Sequence, residues 1–231
     1  MRKIVNKPDL KLFVFYALVL IPAFILCYER NLPFFIVIVA MLLTSVIEIP
    51  IYKFRTRKPG YSEVDAVRIG EFYGVPVAEE MQKDNERTYK TTVTLNMGGF
   101  IIPLFCSLFL LISYRAFLLE VVLSILLMTI FSYMLSEVKG GVGIVIPSYV
   151  GIFAIPLGLI LAEPLGLPFE NIAGVLILVP AIFGILLGML IRLATLPEEK
   201  AGSAFFNIGG IGSFHSIFLI SLLALLIGTV A

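Results

Sequence analysis

The chain has 231 residues, 59% of them hydrophobic and 14% charged, with a formal net charge of +1. Globular domains are about 45–50% apolar and about 25% charged, so a chain of mean hydropathy +1.03 carries more apolar surface than one water-soluble core of this length can hide. Two cysteines exclude a disulfide framework and a CxxC metal site, and the balanced charge speaks against a nucleic-acid partner; the composition points to an integral membrane protein.

In chain order, Arg2, Lys3, Lys7 and Lys11 precede a first apolar segment at 12–28. No small-residue cleavage site follows it, so it reads as a retained helix. A second segment covers 33–52, with Glu48 about one turn from its end. The polar insert 53–92 follows. Within it, 67–77 reads as one or two short strands punctuated by glycine, 79–87 as more helical, and 89–95 as a β-branched strand. The remaining apolar segments are 97–114, 116–135, 140–162, 172–193 and 206–230. Most have the length to cross about 30 Å of hydrocarbon as a helix. Pro147 and Pro156 break the fifth, which is expected to be kinked or re-entrant.

Basic residues set the orientation. With the N-terminus in the cytoplasm, fifteen of the seventeen Lys and Arg residues fall inside, and only Arg30 and Arg115 face out. The expected fold is therefore an all-α membrane protein: a single polytopic domain over 1–231, about seven transmembrane helices, and a small cytoplasmic β-containing insert at 53–92. The expected location is the cytoplasmic membrane, N-terminus inside and C-terminus outside. The bilayer is its partner, and a homo-oligomer is left open.

Glycine pairs open three of these segments: Gly98-Gly99, Gly140-Gly141 and Gly209-Gly210. The orientation puts all three at one depth on the cytoplasmic side. Glycine beside a helix start uncovers backbone N–H groups, and the helix dipole adds partial positive charge, which together suit an anion. The plainer alternative is close helix packing, for which Gly184 and Gly188 also have the spacing. Asn96-Met97-Gly98-Gly99 resembles Asn207-Ile208-Gly209-Gly210, and Gly140-Gly141-Val142-Gly143 resembles Gly209-Gly210-Ile211-Gly212. Candidate binding residues are thus Asn96, Gly98, Gly99, Gly140, Gly141, Gly143, Asn207, Gly209, Gly210, Gly212 and Ser213, joined by His215 and Glu48. His215, the only histidine, falls about 9 Å along a helix counted from Gly209, and a polar group at that depth is a functional candidate.

Catalytic chemistry finds little. Asp9, Asp65 and Asp84 all lie in polar stretches, so an intramembrane aspartyl pair is excluded, and one histidine forbids HExxH. A serine–histidine pair of Ser148 or Ser213 with His215 lacks a GxSxG elbow. Neither a catalytic set, a metal site nor a cofactor is expected.

The blocks Asn96 to Pro103 (NMGGFIIP), Gly141 to Pro147 (GVGIVIP) and Gly209 to Phe218 (GGIGSFHSIF) resemble a prokaryotic family of multi-pass membrane proteins catalogued as a domain of unknown function, number 1614. The resemblance runs from the second segment to the C-terminus and implies a membrane protein, without an activity, ligand or catalytic set. The family's last block reads closer to Gly-Thr-Phe-Asp-Gly-Ile-Phe. Here Ser213, His215 and Ser216 stand at the Thr, Asp and second Gly. The expected function is transport or permeation of a small solute, an anion being one option. A membrane-embedded hydrolase acting on lipid or peptide, or a non-catalytic assembly subunit, are the alternatives.

Overall fold

In the computed structural model, residues 10–57, 63–74, 88–139, 142–166, 171–196 and 205–230 are described. The helices are α1 (Leu10–Cys27), α2 (Leu32–Thr44), α3 (Glu63–Tyr73), α4 (Ile102–Ser113), α5 (Leu118–Leu135), α6 (Ala154–Ala162), α7 (Val179–Ala194) and α8 (Phe214–Val230). Strands β1 (Glu48–Arg57), β2 (Thr88–Asn96) and β5 (Phe205–Ile208) form one sheet, and β3 (Glu137–Lys139) and β4 (Gly143–Val145) a hairpin.

Proline shapes the helix starts. α2, α4 and α7 each carry one in their first turn: Pro33, Pro103 and Pro180. A proline lacks the N–H for an i→i−4 bond, and its ring crowds the carbonyl four residues back. The turns leading into Pro103 and Pro180 widen accordingly into π-helix, at Met97–Ile101 and Ile172–Leu178.

The core forms around α7 and its π-helical lead-in. Of an 18-residue apolar window within Ile172–Ala194, 72% is buried, against 28% of such a window within Arg115–Leu135. The first therefore lies central and the second on the periphery. Among the described residues, these two are the helical stretches long and apolar enough to cross a bilayer. The other apolar helices, including Lys11–Cys27 and Phe214–Val230, have 10–17 residues. Glycines bring neighbours onto the centre. A Cβ on Gly188 would come within 2.6 Å of the Ser132 Cβ, one on Gly184 within 2.8 Å of the Met128 carbonyl carbon, and one on Gly158 within 2.6 Å of the Leu176 carbonyl oxygen. Contacts at 128/184 and 132/188 advance together, so α5 and α7 run parallel. α1 and α8 are parallel too: Tyr16 hydroxyl meets His215 Nδ1 at 3.0 Å near their starts, and Cys27 Sγ meets Thr229 Oγ1 at 3.5 Å near their ends.

Several expected boundaries are corrected. The second apolar segment is not one helix to residue 52: α2 stops at Thr44, and Glu48 opens a ten-residue strand. Its run of β-branched and aromatic residues between polar ones suits a pleated surface better than a helix. The 63–73 stretch, expected in part as strand, is helix α3. The 89–95 strand is present as β2, whereas 79–87 lies outside the described residues. The seventh segment begins as strand β5 and becomes helix only at Phe214. The fifth is broken near Pro147, as expected: strand β4, a 3₁₀ turn at Val150–Phe153 and then the short α6. The sheet is thus not confined to the insert, because β1 starts before it and β5 joins from just ahead of α8.

β1 pairs antiparallel with β2, and β2 pairs parallel with β5. Opposed residues share a face. A bulge at Ile51 shifts the register so that Pro50 opposes Thr94 and Tyr52 opposes Val93. Beyond the bulge Lys53 joins the face of Glu48, although plain alternation puts it on that of Ile49. The other face is apolar. Phe54 stacks on Phe206 at 6.0 Å, and Val93, Phe206 and Ile208 are buried.

Candidate functional site

Two of the three glycine blocks demonstrably converge. β2 and β5 run side by side and deliver Gly98-Gly99 and Gly209-Gly210 to one place. A Cβ on Gly209 would lie 2.6 Å from the Gly99 carbonyl carbon, and Gly209 itself holds φ +80, a backbone region that favours glycine. Gly212, at φ +92, packs on β4: its carbonyl accepts from Ile146 N at 2.7 Å, and a Cβ there would meet Ile144 O at 3.0 Å. Gly143, at φ +103, opens β4. Gly140 and Gly141 lie outside the described residues.

For Gly99 the expectation of a bare amide is corrected by a hydrogen bond. Asn96 Oδ1 accepts from Gly99 N at 2.8 Å, capping the turn that leads into α4. Asn96 Nδ2 donates to Ser45 O at the end of α2, and Met97 N donates to Ile47 O at 2.9 Å. Ser213 N and Phe214 N return to Gly210 O at 3.0 and 2.8 Å. Gly98 is pressed against Met41 O and Ser45 N, with no room for a side chain. At Gly98, Gly99 and Gly209 the described seam is a packed joint, with the Gly99 amide spent on its cap.

What the joint holds is a carboxylate. Glu48, Thr94 and Asn207 sit on one face across three adjacent strands. Thr94 Oγ1 donates to Glu48 Oε2 at 3.2 Å, and Asn207 Nδ2 donates to Glu48 Oε1. Thr94 and Asn207 are buried at 2% and 1% exposure, whereas Glu48 is half-buried. Asn207 Oδ1 is a buried oxygen without a hydrogen-bond partner. The two Asn-x-Gly-Gly blocks therefore differ: Asn96 spends its oxygen on the amide three residues on, and Asn207 turns its amide to Glu48 beneath Gly210.

His215 stands apart from this cluster in role. It lies in the first turn of α8, not 9 Å deep as expected, because the helix starts at Phe214. Its Nδ1 pairs with Tyr16, while Ser216 Oγ accepts from Gly151 N at 3.0 Å and Ser213 Oγ reaches Gly210 O at 3.4 Å. Those bonds turn both hydroxyls to backbone. Thr94, Ser45, Met41 and Tyr16 escaped the sequence reading. Only Thr94 left a signal, since period-2 alternation puts Thr92, Thr94 and Asn96 on one face of a strand.

Two hollows among the described residues lie away from the seam. An open cleft of about 770 Å³ is lined by Arg68, Ile69, Glu71, Phe72 and Lys139, between α3 and the β3–β4 hairpin. A narrow space of about 170 Å³ between α2, α4, α7 and α8 is too tight for a water molecule. Among the described residues, no group of three or more His, Cys, Asp and Glu side chains could hold a metal ion.

These features define a mostly helical protein of apolar helices, closed at one end by a small mixed sheet and a glycine seam that holds a carboxylate. Residues 42–227 match the family described as "Protein of unknown function (DUF1614)", and the chain belongs to that family. The match spans the glycine seam and Glu48 and begins beyond α1. No curated protein and no solved structure is matched.

Proposed function

We propose that the chain is a polytopic protein of the cytoplasmic membrane, with seven spans and the N-terminus inside, that admits a small solute at the cytoplasmic end of its helices. The observation that carries this reading is the Glu48–Thr94–Asn207 cluster. The half-buried carboxylate is held by two buried polar side chains of the sheet, and polar groups near a membrane core are functional candidates by default. The anion option loses one of its donors, because the Gly99 amide is covered by Asn96. Support for a lipid surround comes from large apolar side chains on the outer faces, among them Phe105, Phe109, Leu119 and Met134 at 67–79% exposure; water would penalise that surface heavily.

The test is solute flux in proteoliposomes, paired with cysteine-accessibility mapping of the loops near Arg30 and Lys53. The reading expects flux that falls in Glu48→Gln and in Gly210→Leu, and labelling from opposite sides. Flux unchanged in both variants sinks it. The close-packed interior favours a second reading, a non-catalytic assembly subunit. Stable co-purification of a second protein from native membranes, with no flux, would select it.

A further inference from the structure

We infer that the cleft between α3 and the β3–β4 hairpin binds the headgroup of an amine-bearing phospholipid, a phosphodiester with a primary ammonium beside it. This goes beyond the solute reading and rests only on its membrane-spanning part. The cleft, of about 770 Å³, is lined by Arg68, Ile69, Glu71, Phe72 and Lys139. The path of the chain sets its level. β3 begins at Glu137, two residues past the end of α5 at Leu135. The outer face of α5 carries exposed Leu126, Ile130 and Met134 down to that end. The cleft therefore opens where the apolar face stops, the level at which a bilayer passes from hydrocarbon to headgroups.

A second observation points to lipid independently. Phe72 is 77% exposed on α3, a helix that also carries Glu63, Asp65, Arg68 and Glu71. Water disfavours an exposed phenyl ring, whereas the interfacial layer of a bilayer accepts one.

The lining mixes signs, and that selects the headgroup. The Arg68 guanidinium and the Lys139 ammonium suit a phosphodiester, and the Glu71 carboxylate suits a cation. Lys139 also lies 3.7 Å from Glu137, with the two side chains 42% and 69% exposed; pairs so open to water are weak, so a phosphate can join or replace the carboxylate at little cost. A phosphoglycerol headgroup brings no cation for Glu71. Phosphocholine brings one without an N–H to donate, and the single phenyl ring of this lining is not the aromatic cage that choline takes. Phosphoethanolamine answers both signs, with its phosphate toward Arg68 and Lys139 and its ammonium donors toward Glu71. Ile69 and Phe72 then meet the glycerol and the start of the acyl chains.

The experiment uses the full chain in phosphatidylcholine liposomes. The chain has no tryptophan, so Phe72→Trp supplies a single fluorophore at the cleft. Lipids brominated near the glycerol are added at equal mole fraction with ethanolamine, choline or glycerol headgroups. The ethanolamine lipid should quench at least about twofold better than either of the others, the scale of one exposed charge pair. Arg68→Gln or Glu71→Gln, each combined with Phe72→Trp, should remove that preference, and Glu71→Lys should turn it toward the glycerol lipid. Should Phe72→Trp not accumulate, native mass spectrometry of the parent chain in detergent, with the three lipids in equal amounts, should show the ethanolamine lipid retained most. Equal quenching by all three would overturn the proposal, as would a preference for the glycerol lipid in the parent or an unchanged preference in both glutamine variants. Relief of quenching by millimolar glycerophosphoethanolamine would assign the cleft to a free headgroup and overturn it too. Flux is not read, so a chain that prefers the ethanolamine lipid yet moves no solute keeps this site and loses only the transport reading. A chain that carbonate strips from the liposomes would lose both.

Discussion

Gly99 and Gly209 are packed backbone to backbone, so that a side chain on either would enter the main chain of the other. The contact joins the ends of two parallel strands, β2 and β5, and the positive φ of Gly209 adds a second reason for glycine there. Gly99→Ala and Gly209→Ala should each destabilise the fold by about 3 kcal/mol or more, the range of backbone clashes in a packed core. Gly174→Ala is the control. Its Cβ would rest 3.7 Å from Leu110, an ordinary contact, and alanine favours helix by about 1 kcal/mol, so that variant should be neutral or slightly stabilised. Denaturation in mixed detergent micelles, followed by circular dichroism, reads all three.

The same steric logic applies between α5 and α7. A Cβ on Gly184 meets the Cβ and backbone of Met128, and truncating Met128 to alanine leaves that Cβ in place. Gly184→Ala should therefore lose about 2 kcal/mol, with no rescue by Met128→Ala and partial rescue by Met128→Gly. A double-mutant cycle on unfolding free energies checks this, since contacting residues couple and distant ones add.

Asn96 closes the turn into α4 with both ends of its amide, taking Gly99 N and giving to Ser45 O. Asn96→Ala removes a cap and leaves a buried carbonyl and amide short of a partner. The combined loss should be about 2 kcal/mol. Hydrogen exchange should show it locally: the Gly99 amide should exchange faster in the variant while amides of α8 keep their protection. Uniform loss of protection would instead mark a global effect and contradict the local role.

The helices and their order were legible because apolar length survives any tertiary detail. The 97–114 and 172–193 readings match the observed Met97–Ser113 and Ile172–Ala194 closely, even through π-helical turns. Two of the glycine blocks, Gly98-Gly99 and Gly209-Gly210, were legible as neighbours, yet not as a packed contact. Only coordinates reveal that Asn96 caps Gly99 and that Met41 and Ser45 press on Gly98. Glu48 was found as a polar residue near a helix end, with its element misread. Two features hid the strand. Residues 46–52 are as apolar as a helix end, and the bulge at Ile51 breaks the alternation that signals a sheet. The partnership of Glu48 with Asn207 spans 159 positions, and nothing local in either segment announces it.

The parallel course of α1 and α8 gives a covalent test of the fold. Cys27 Sγ lies 3.5 Å from Thr229 Oγ1, inside a small cluster with Asn31, whose Nδ2 reaches Thr229 Oγ1 at 3.0 Å and Gly228 O at 3.1 Å. Replacing Thr229 by cysteine puts two sulfurs where the sulfur and oxygen now touch, close to the reach of a disulfide. With Cys106→Ala to remove the other thiol, mild oxidation of Thr229→Cys should join residues 27 and 229 within one molecule. The product should run faster in non-reducing gels and yield the linked peptide by mass spectrometry. Cysteine placed instead at His215 should not link to Cys27, because His215 meets the opposite end of α1, at Tyr16. An antiparallel arrangement would reverse that pair of results, since the start of α8 would then lie beside the end of α1.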